Sequence, residues 1–391
     1  MLSDNPAWDA VMRRRKLLIG TAALVLVIVI GALGAAWRVS DTLKSGALAV
    51  DHSPSDPDLL VAEVGEGRVT LRVTEETDLE YGAWLRDGLW GLEWDGGYAR
   101  VGEILDLRQA EVVREFMAVA GQLRASQAVR LDSFAFKGDP DAALGLSYQD
   151  VTFTSRVGEL DAWFLEGERD TWAIFTHGRG ASREEALRTL PTVLGLEFPS
   201  LVITYRNDEG APPSDDGFYH FGESEWEDVE AAVEYALAHG AANIILIGYS
   251  MGGATSVNFL YQSDLASTVR AAILDAPVLS FDDLIDFGGE RKGIPGPLTW
   301  LGKKVSALRF DIDWGARDYL ALASELNVPI LLFHGDADRT VHIRTSDQLA
   351  KARPDIVTYV RVSGATHVRG WNMDPDAYEA AVANFLRESV P

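Results

Sequence analysis

From about residue 151 onward, short uninterrupted apolar runs alternate with longer stretches of helical periodicity, and this alternation limits the fold more than any other feature of the chain. The runs fall at 172–175, 201–205, 243–247, 271–274, 329–333 and 357–362. The helical stretches between and after them are 183–194, 223–238, 251–261, 344–351 and 376–388. A strand that is apolar on both faces must be covered on both, and a parallel connection needs a crossover long enough for a helix. The pattern predicts an α/β fold, a mostly parallel sheet between two helical layers. Two antiparallel strands, 151–155 and 160–165, turn at Gly158 ahead of six parallel ones, so the sheet has eight.

The other end of the chain is constrained by a different solvent. Between Leu17 and Trp37 it reads LLIGTAALVLVIVIGALGAAW, 21 residues without a charge. As a helix this run spans ~31 Å at ~1.5 Å per residue, the thickness of a hydrocarbon core. Arg13, Arg14, Arg15 and Lys16 precede it. Basic flanks stay in the cytoplasm, so residues 1–16 are expected there and the rest of the chain outside it, in a single-pass cell-membrane protein. The alternative is a cleaved signal peptide, with Ala32, Gly34, Ala35 and Ala36 as the small residues of a cleavage site and a secreted product. The run exceeds the ~7–15 apolar residues of a usual signal core, which favours the anchor.

Residues 38–60 are expected to form a polar linker, marked by Ser53-Pro54-Ser55-Asp56-Pro57. Residues 61–150 predict a small, mainly β region. Arg68 to Thr74 alternates polar and apolar residues, and Tyr81 to Val101, rich in Trp and Gly, suggests one or two hairpins. Val112, Phe116, Val119 and Leu123 have helical spacing and predict one helix. Trp84, Trp90 and Trp94 are expected to pack in core or turns rather than to line a binding face.

The chemistry is carried by residues 248–253, GYSMGG, between the apolar run 243–247 and a helical stretch. This G-x-S-x-G pattern, between a buried strand and a helix, is a sharp turn that exposes a strained serine, Ser250. Gly248 and Gly252 let strand and helix pack closely, and the helix N-terminus favours developing negative charge. A serine hydroxyl needs a base to take its proton. His367, in the loop after the last strand, follows the chain order Ser, Asp, His. His177 and His334 stand before glycines at strand ends, where a structural role is expected, and His52, His220, His239 and His342 fit the order less well. The acid is expected in the loop 334–341, HGDADRTV. Asp338, deeper in that loop, is preferred. Asp336 is the candidate for holding the turn, and Asp275 after the preceding strand remains an option. Oxyanion donors are expected from the backbone N–H of Met251 and from Arg179 in the segment 176–180, THGRG.

HGRG, GYSMGG, HGDADRTV and GATH, in this order over residues 151–391, resemble the oxyanion loop, nucleophile elbow, acid loop and histidine loop of the α/β-hydrolase superfamily. The likeness is strongest to its prolyl oligopeptidase-like and serine aminopeptidase-like branches, to which Tyr205-Arg206-Asn207 and Gly210 also conform. The N-terminal stretch is too short for a β-propeller. The resemblance implies an α/β-hydrolase fold with Ser250, His367 and Asp338 as triad, Arg179 and Met251 as oxyanion donors, and a candidate cap at 278–328. It leaves the substrate open.

With no cysteine, disulfides, zinc-thiolate sites and a cysteine nucleophile are excluded, and a net charge of −24 argues against a nucleic-acid partner. The chemistry calls for no cofactor or metal. The expected activity is a carboxylic-ester hydrolase acting on a small-molecule ester or acyl substrate, lipid-like esters included. A serine peptidase of the same fold is the alternative, and a membrane-tethered scaffold without activity is the minor one.

Overall fold

A computed structural model describes residues 6–79 and 82–390. Tyr81, the expected start of the hairpin region, lies outside them, as do residues 1–5 of the basic segment and Pro391. The chain divides into two compact units: residues up to Ala49 with Ile285–Trp314, and Val50–Leu284 with Gly315–Pro391.

In the first unit, α1 (Pro6–Leu43) is one continuous helix. It is long and apolar enough to cross a membrane, and its large apolar residues from Leu17 to Ile30 are bare of protein. The helix does not stop where the linker was expected to begin. It runs on through Arg38 to Leu43, and a π-helical turn carries it to Leu48. The cause is tertiary. Residues 278–328, the expected cap, are helical, with α6 (Phe281–Arg291) and α7 (Gly296–Phe310), and α7 packs along this extension. A Cβ on Gly302 would lie 2.4 Å from Val39, so the close approach requires glycine. Arg309 stacks on Trp37 at 3.7 Å and pairs with Asp41 at 2.7 Å.

The second unit joins a barrel to a sheet. The barrel strands are β1 (Leu59–Gly65), β2 (Arg68–Val73), β3 (Trp90–Trp94), β4 (Gly97–Arg108), β5 (Glu111–Ala120) and β6 (Ala128–Asp132), closed in the order β1-β2-β5-β4-β3-β6. Alternate residues such as Leu59 and Val61, Val69 and Leu71, Leu92, Val101 and Val129 fill the interior with Trp84, Trp90 and Trp94. Each large side chain buried this way contributes roughly 1.5–3 kcal/mol. Asp95-Gly96, with Gly96 at φ 78°, makes the tight turn between β3 and β4. The helix expected from Val112 to Leu123 is instead β5. Val112 and Phe116 are four apart, an even number that suits a strand face as well as a helix. Their segment is β-branched and paired on both edges, by Leu71↔Val112 on one side and Val101↔Phe116 on the other.

After α2 (Pro140–Leu144) come β7 (Gln149–Ser155), β8 (Gly158–Leu165), β9 (Thr171–Thr176), β10 (Ser200–Ile203), β11 (Asn243–Tyr249), β12 (Val269–Asp275), β13 (Ile330–Gly335) and β14 (Val357–Val362). They form an eight-stranded sheet in the order β14-β13-β12-β11-β9-β10-β8-β7. The β7–β8 hairpin and the β8–β10 pair are antiparallel, and the remaining pairs are parallel, as the alternation required. One face packs on α3 (Leu190–Leu194) and α10 (Pro375–Ser389). The helices α4 (Trp226–Ala238), α5 (Met251–Gln262), α8 (Arg344–Ala352) and α9 (Gly370–Met373) complete the domain. The barrel grips this domain through Asn372, which donates to the carbonyls of Leu89 and Ser133 at 2.8 Å each, while Leu89 N–H donates to Asn372 O at 2.9 Å.

Candidate active site

Parallel pairing sets the carboxyl ends of β9, β11, β12, β13 and β14 side by side, with Gly248 opposite Thr176, Tyr249 opposite Asp275 and Gly335 opposite Val362. The loops leaving these ends carry every candidate side chain.

Ser250 sits between β11 and α5 at φ 51°, ψ −113°, a conformation few non-glycine residues adopt. The turn is held by Ser250 N–H donating to Asp275 O at 2.9 Å and by Val278 N–H donating to Ser250 O at 3.2 Å. A Cβ on Gly252 would lie 2.1 Å from Thr176 O, and one on Gly248 2.5 Å from Gly252 O, so both positions exclude any side chain.

His367 Nε2 lies 2.8 Å from Ser250 Oγ, and its Nδ1 lies 2.7 Å from Asp338 Oδ2. Asp338 is buried, and its Oδ1 accepts from the N–H groups of Thr340 and Val341 at 2.7 and 3.0 Å. Burial acts to raise its pKa, but the neighbouring His367 and His334 outweigh it and hold the carboxyl below its ordinary value. The acid and histidine loops are locked together. Ala337 N–H donates to Ala365 O at 3.1 Å, and Gly364 N–H to Asp336 Oδ1 at 2.6 Å. Asp336 thereby ties the acid loop to the histidine loop. Asp275 accepts from Tyr378 Oη at 3.1 Å, and its pKa is pushed up to about 6 by burial.

The segment after β9 faces the serine, since a Cβ on Gly178 would stand 3.2 Å from Ser250 Cβ. Gly178 N–H donates to Glu185 Oε2 at 2.8 Å. Arg179 follows it, and Met251, fully buried, opens α5 on the other side of Ser250. The remaining histidines have structural partners. His177 is buried against Asp208 at 2.8 Å, His334 bonds Ser346 at 2.7 Å, and His52 bonds Asn207 O at 2.8 Å.

Ser250 and His367 open into a cleft of about 840 Å³. Its walls include residues that sequence reasoning missed. The barrel contributes Glu93, Arg130 and Asp132, residues 52–55 line one edge, and Arg369 lies two positions past His367. The signal that could have found Arg369 is its charge two residues past His367. The barrel wall had no local signal, because it arises from contacts distant in sequence. Among the described residues no group of three or more His, Cys, Asp or Glu side chains could hold a metal ion.

A family model described as a domain of unknown function (DUF8805) matches residues 60–132, the barrel. Among curated proteins, an uncharacterized protein YfhR of Escherichia coli O157:H7 is 23% identical over 257 residues, covering 62% of this chain and 82% of its own length. YfhR of Salmonella typhimurium is 22% identical over 264 residues, covering 62% and 80%. Among solved structures, the Pyrococcus furiosus esterase Pf2001 is similar with a TM-score of 0.53 at 20% identity, over 65% of this chain and 97% of that one. A second crystal form of it gives 0.52 at 21% identity, over 66% and 96%. The chain has the α/β-hydrolase fold, with an apolar N-terminal helix and a β-barrel ahead of it.

Proposed function

We propose that this chain is a membrane-anchored serine hydrolase that cleaves carboxylic esters through an acyl-enzyme. The observation that carries this reading is the unbroken relay from Ser250 Oγ through both nitrogens of His367 to the buried Asp338, opening into a cleft. In the first step Ser250 Oγ bonds to the ester carbonyl carbon while His367 Nε2 takes its proton. Asp338 stabilises the resulting imidazolium, and the N–H groups of Arg179 and Met251 receive the oxyanion. His367 then protonates the departing alkoxide as the carbon–oxygen bond breaks. A water, deprotonated by the same ring, then bonds to the acyl carbon, and as the carbon–Oγ bond breaks the ring returns that proton to Ser250 Oγ and the acid is released. The likeness to a protein named an esterase favours esters over peptides.

In this reading α1 is an uncleaved anchor, Arg13 to Lys16 stay in the cytoplasm, and the unit that carries Ser250 works outside it. Purified full-length protein in detergent is expected to hydrolyse short p-nitrophenyl esters and to react with a fluorophosphonate. Ser250→Ala is expected to abolish labelling and to lower kcat by roughly 10⁴-fold or more. A wild-type protein inert to both reagents refutes the reading. Faster turnover of aminoacyl-arylamides than of esters transfers it to the peptidases.

A further inference from the structure

The cleft walls carry many charges, and most are already committed. Glu93 takes both Arg130 and Lys137, the latter at 2.6 Å. Asp132 accepts from Tyr98 Oη at 2.5 Å and from Phe134 N–H at 3.1 Å. Glu184 accepts from Gly138 N–H at 2.7 Å, Glu185 from Gly178 N–H and from Arg188, and Asp208 from Tyr205 N–H while it also bonds His177. Glu209 is exposed at the rim.

Arg369 differs. Its guanidinium donates one hydrogen bond, from Nη1 to the adjacent Val368 O at 3.3 Å. Among the described residues no carboxylate lies within ion-pairing distance of it, and none accepts from its other donors. The fully buried Arg188 beside it donates to the same carbonyl at 2.9 Å and shares its charge with Glu185. Burial and this second guanidinium lower the pKa of Arg369 to about 10, so it remains a cation at neutral pH. On the barrel wall Arg130 and Lys137 share Glu93, while Asp132 is held by a hydroxyl and an amide, so this wall is balanced in charge and Arg369 is the cation left to an incoming anion.

We infer that the cleft selects substrates carrying a carboxylate close to the scissile ester, and that Arg369 receives this carboxylate through the donors that no protein group occupies. The inference rests on the reading of Ser250 as nucleophile in this cleft. A guanidinium fork matches a carboxylate in two parallel hydrogen bonds, which a neutral alkyl ester cannot use. Inside a concave site a guanidinium without a carboxylate partner attracts such an anion, even on a chain with a net charge of −24. The apolar side chains of the lining, Leu131, Phe134, Trp163 and Val368 among them, are outnumbered by charged ones, so a short acidic ester suits the cleft better than a long alkyl chain.

The test compares two matched pairs on the full-length protein: p-nitrophenyl hemiglutarate with p-nitrophenyl butyrate, and 4-carboxyphenyl butyrate with phenyl butyrate. One pair carries the anion on the acyl part, the other on the leaving group. For at least one pair, kcat/KM is expected to favour the anionic ester by about tenfold or more, and Arg369→Gln to reduce that ratio by about tenfold. Arg369→Lys is expected to retain part of the preference, which a purely structural role of the arginine would not predict. A second arm needs no turnover. Glutarate binding to the Ser250→Ala protein, followed by calorimetry, is expected at millimolar concentration and to weaken about tenfold when Arg369→Gln is added. Neutral esters turned over without any anionic preference overturn the inference and leave the hydrolase reading standing. No turnover and no fluorophosphonate labelling, with glutarate still bound, overturn the hydrolase reading instead. Absence of glutarate binding together with absence of preference overturns the carboxylate subsite.

Discussion

Asp275 and Asp338 stand at neighbouring strand ends on one sheet edge, and both are buried, yet their surroundings drive them apart. Asp338 touches His367 and His334 and accepts two backbone N–H groups, so it stays ionised. Asp275 has a tyrosine hydroxyl for a partner, and burial raises its pKa from 3.8 to about 6. The two therefore act on stability with opposite signs. Asp338 binds its proton less readily folded than unfolded, so its contribution is present above its unfolded pKa and is lost as the pH falls through its folded one. Asp275 binds its proton more readily folded. Its contribution is present below pH ~4 and is lost as the pH rises through about 6. Asp275→Asn removes the charge that burial opposes. Relative to wild type, the variant is expected to gain about 1–3 kcal/mol between pH 4.5 and pH 8. Thermal melts of both proteins across that range measure this, and a wild-type-to-variant gap that does not change with pH rules it out.

Among the elements, β5 teaches the most, because the sequence pointed to a helix there. Its fourth residue, Arg114, is fully buried, and no carboxylate among the described residues pairs with it. It donates to Gly102 O at 2.7 Å, Arg86 O at 2.8 Å and Gly88 O at 3.1 Å, with weaker bonds to Ala83 O and Trp84 O. It thereby folds residues 83–88 onto the barrel, and this segment in turn meets the histidine loop: Arg86 donates to Gly364 O, and Gly88 presses on Asn372. Arg114→Met keeps the volume but orphans these carbonyls. It is expected to cost roughly 3–5 kcal/mol in urea unfolding and to lower kcat by loosening the loop that carries His367. A loss below ~1 kcal/mol would show that the carbonyls find other donors. Such contacts explain what was legible beforehand. The β-α alternation and the four motifs are local, so the sheet, the serine turn and the positions of Asp338 and His367 could be read directly. One edge of the strand at 111–120 depended on β2, some 40 residues away, the extension of α1 past Trp37 on α7, and the barrel's share in the cleft on a joint between residues 89 and 372. No window of sequence contains any of these pairs.

At the scale of the whole molecule, charge and apolarity are divided along the chain. Up to Ala49 there are six basic and three acidic residues, which leaves −27 on the rest of the net −24. Anionic lipid headgroups attract the first segment and repel the remainder. A protein held to a membrane by surface charge would have to turn a basic face to it, and the bulk of this chain has no surplus of basic residues to offer. In the anchor reading, attachment depends on hydrophobic transfer of residues 17–37, where the large apolar side chains from Leu17 to Ile30 are bare of protein on α1. The full chain is therefore expected to stay in the membrane fraction through high salt and alkaline carbonate, and to be released by detergent. A chain starting at Val50 is expected in the soluble fraction and should still react with a fluorophosphonate, because the residues lining the cleft all lie beyond that point. Release of the full chain by carbonate, or a mature N-terminus near Ala35, would turn the helix from an anchor into an export signal.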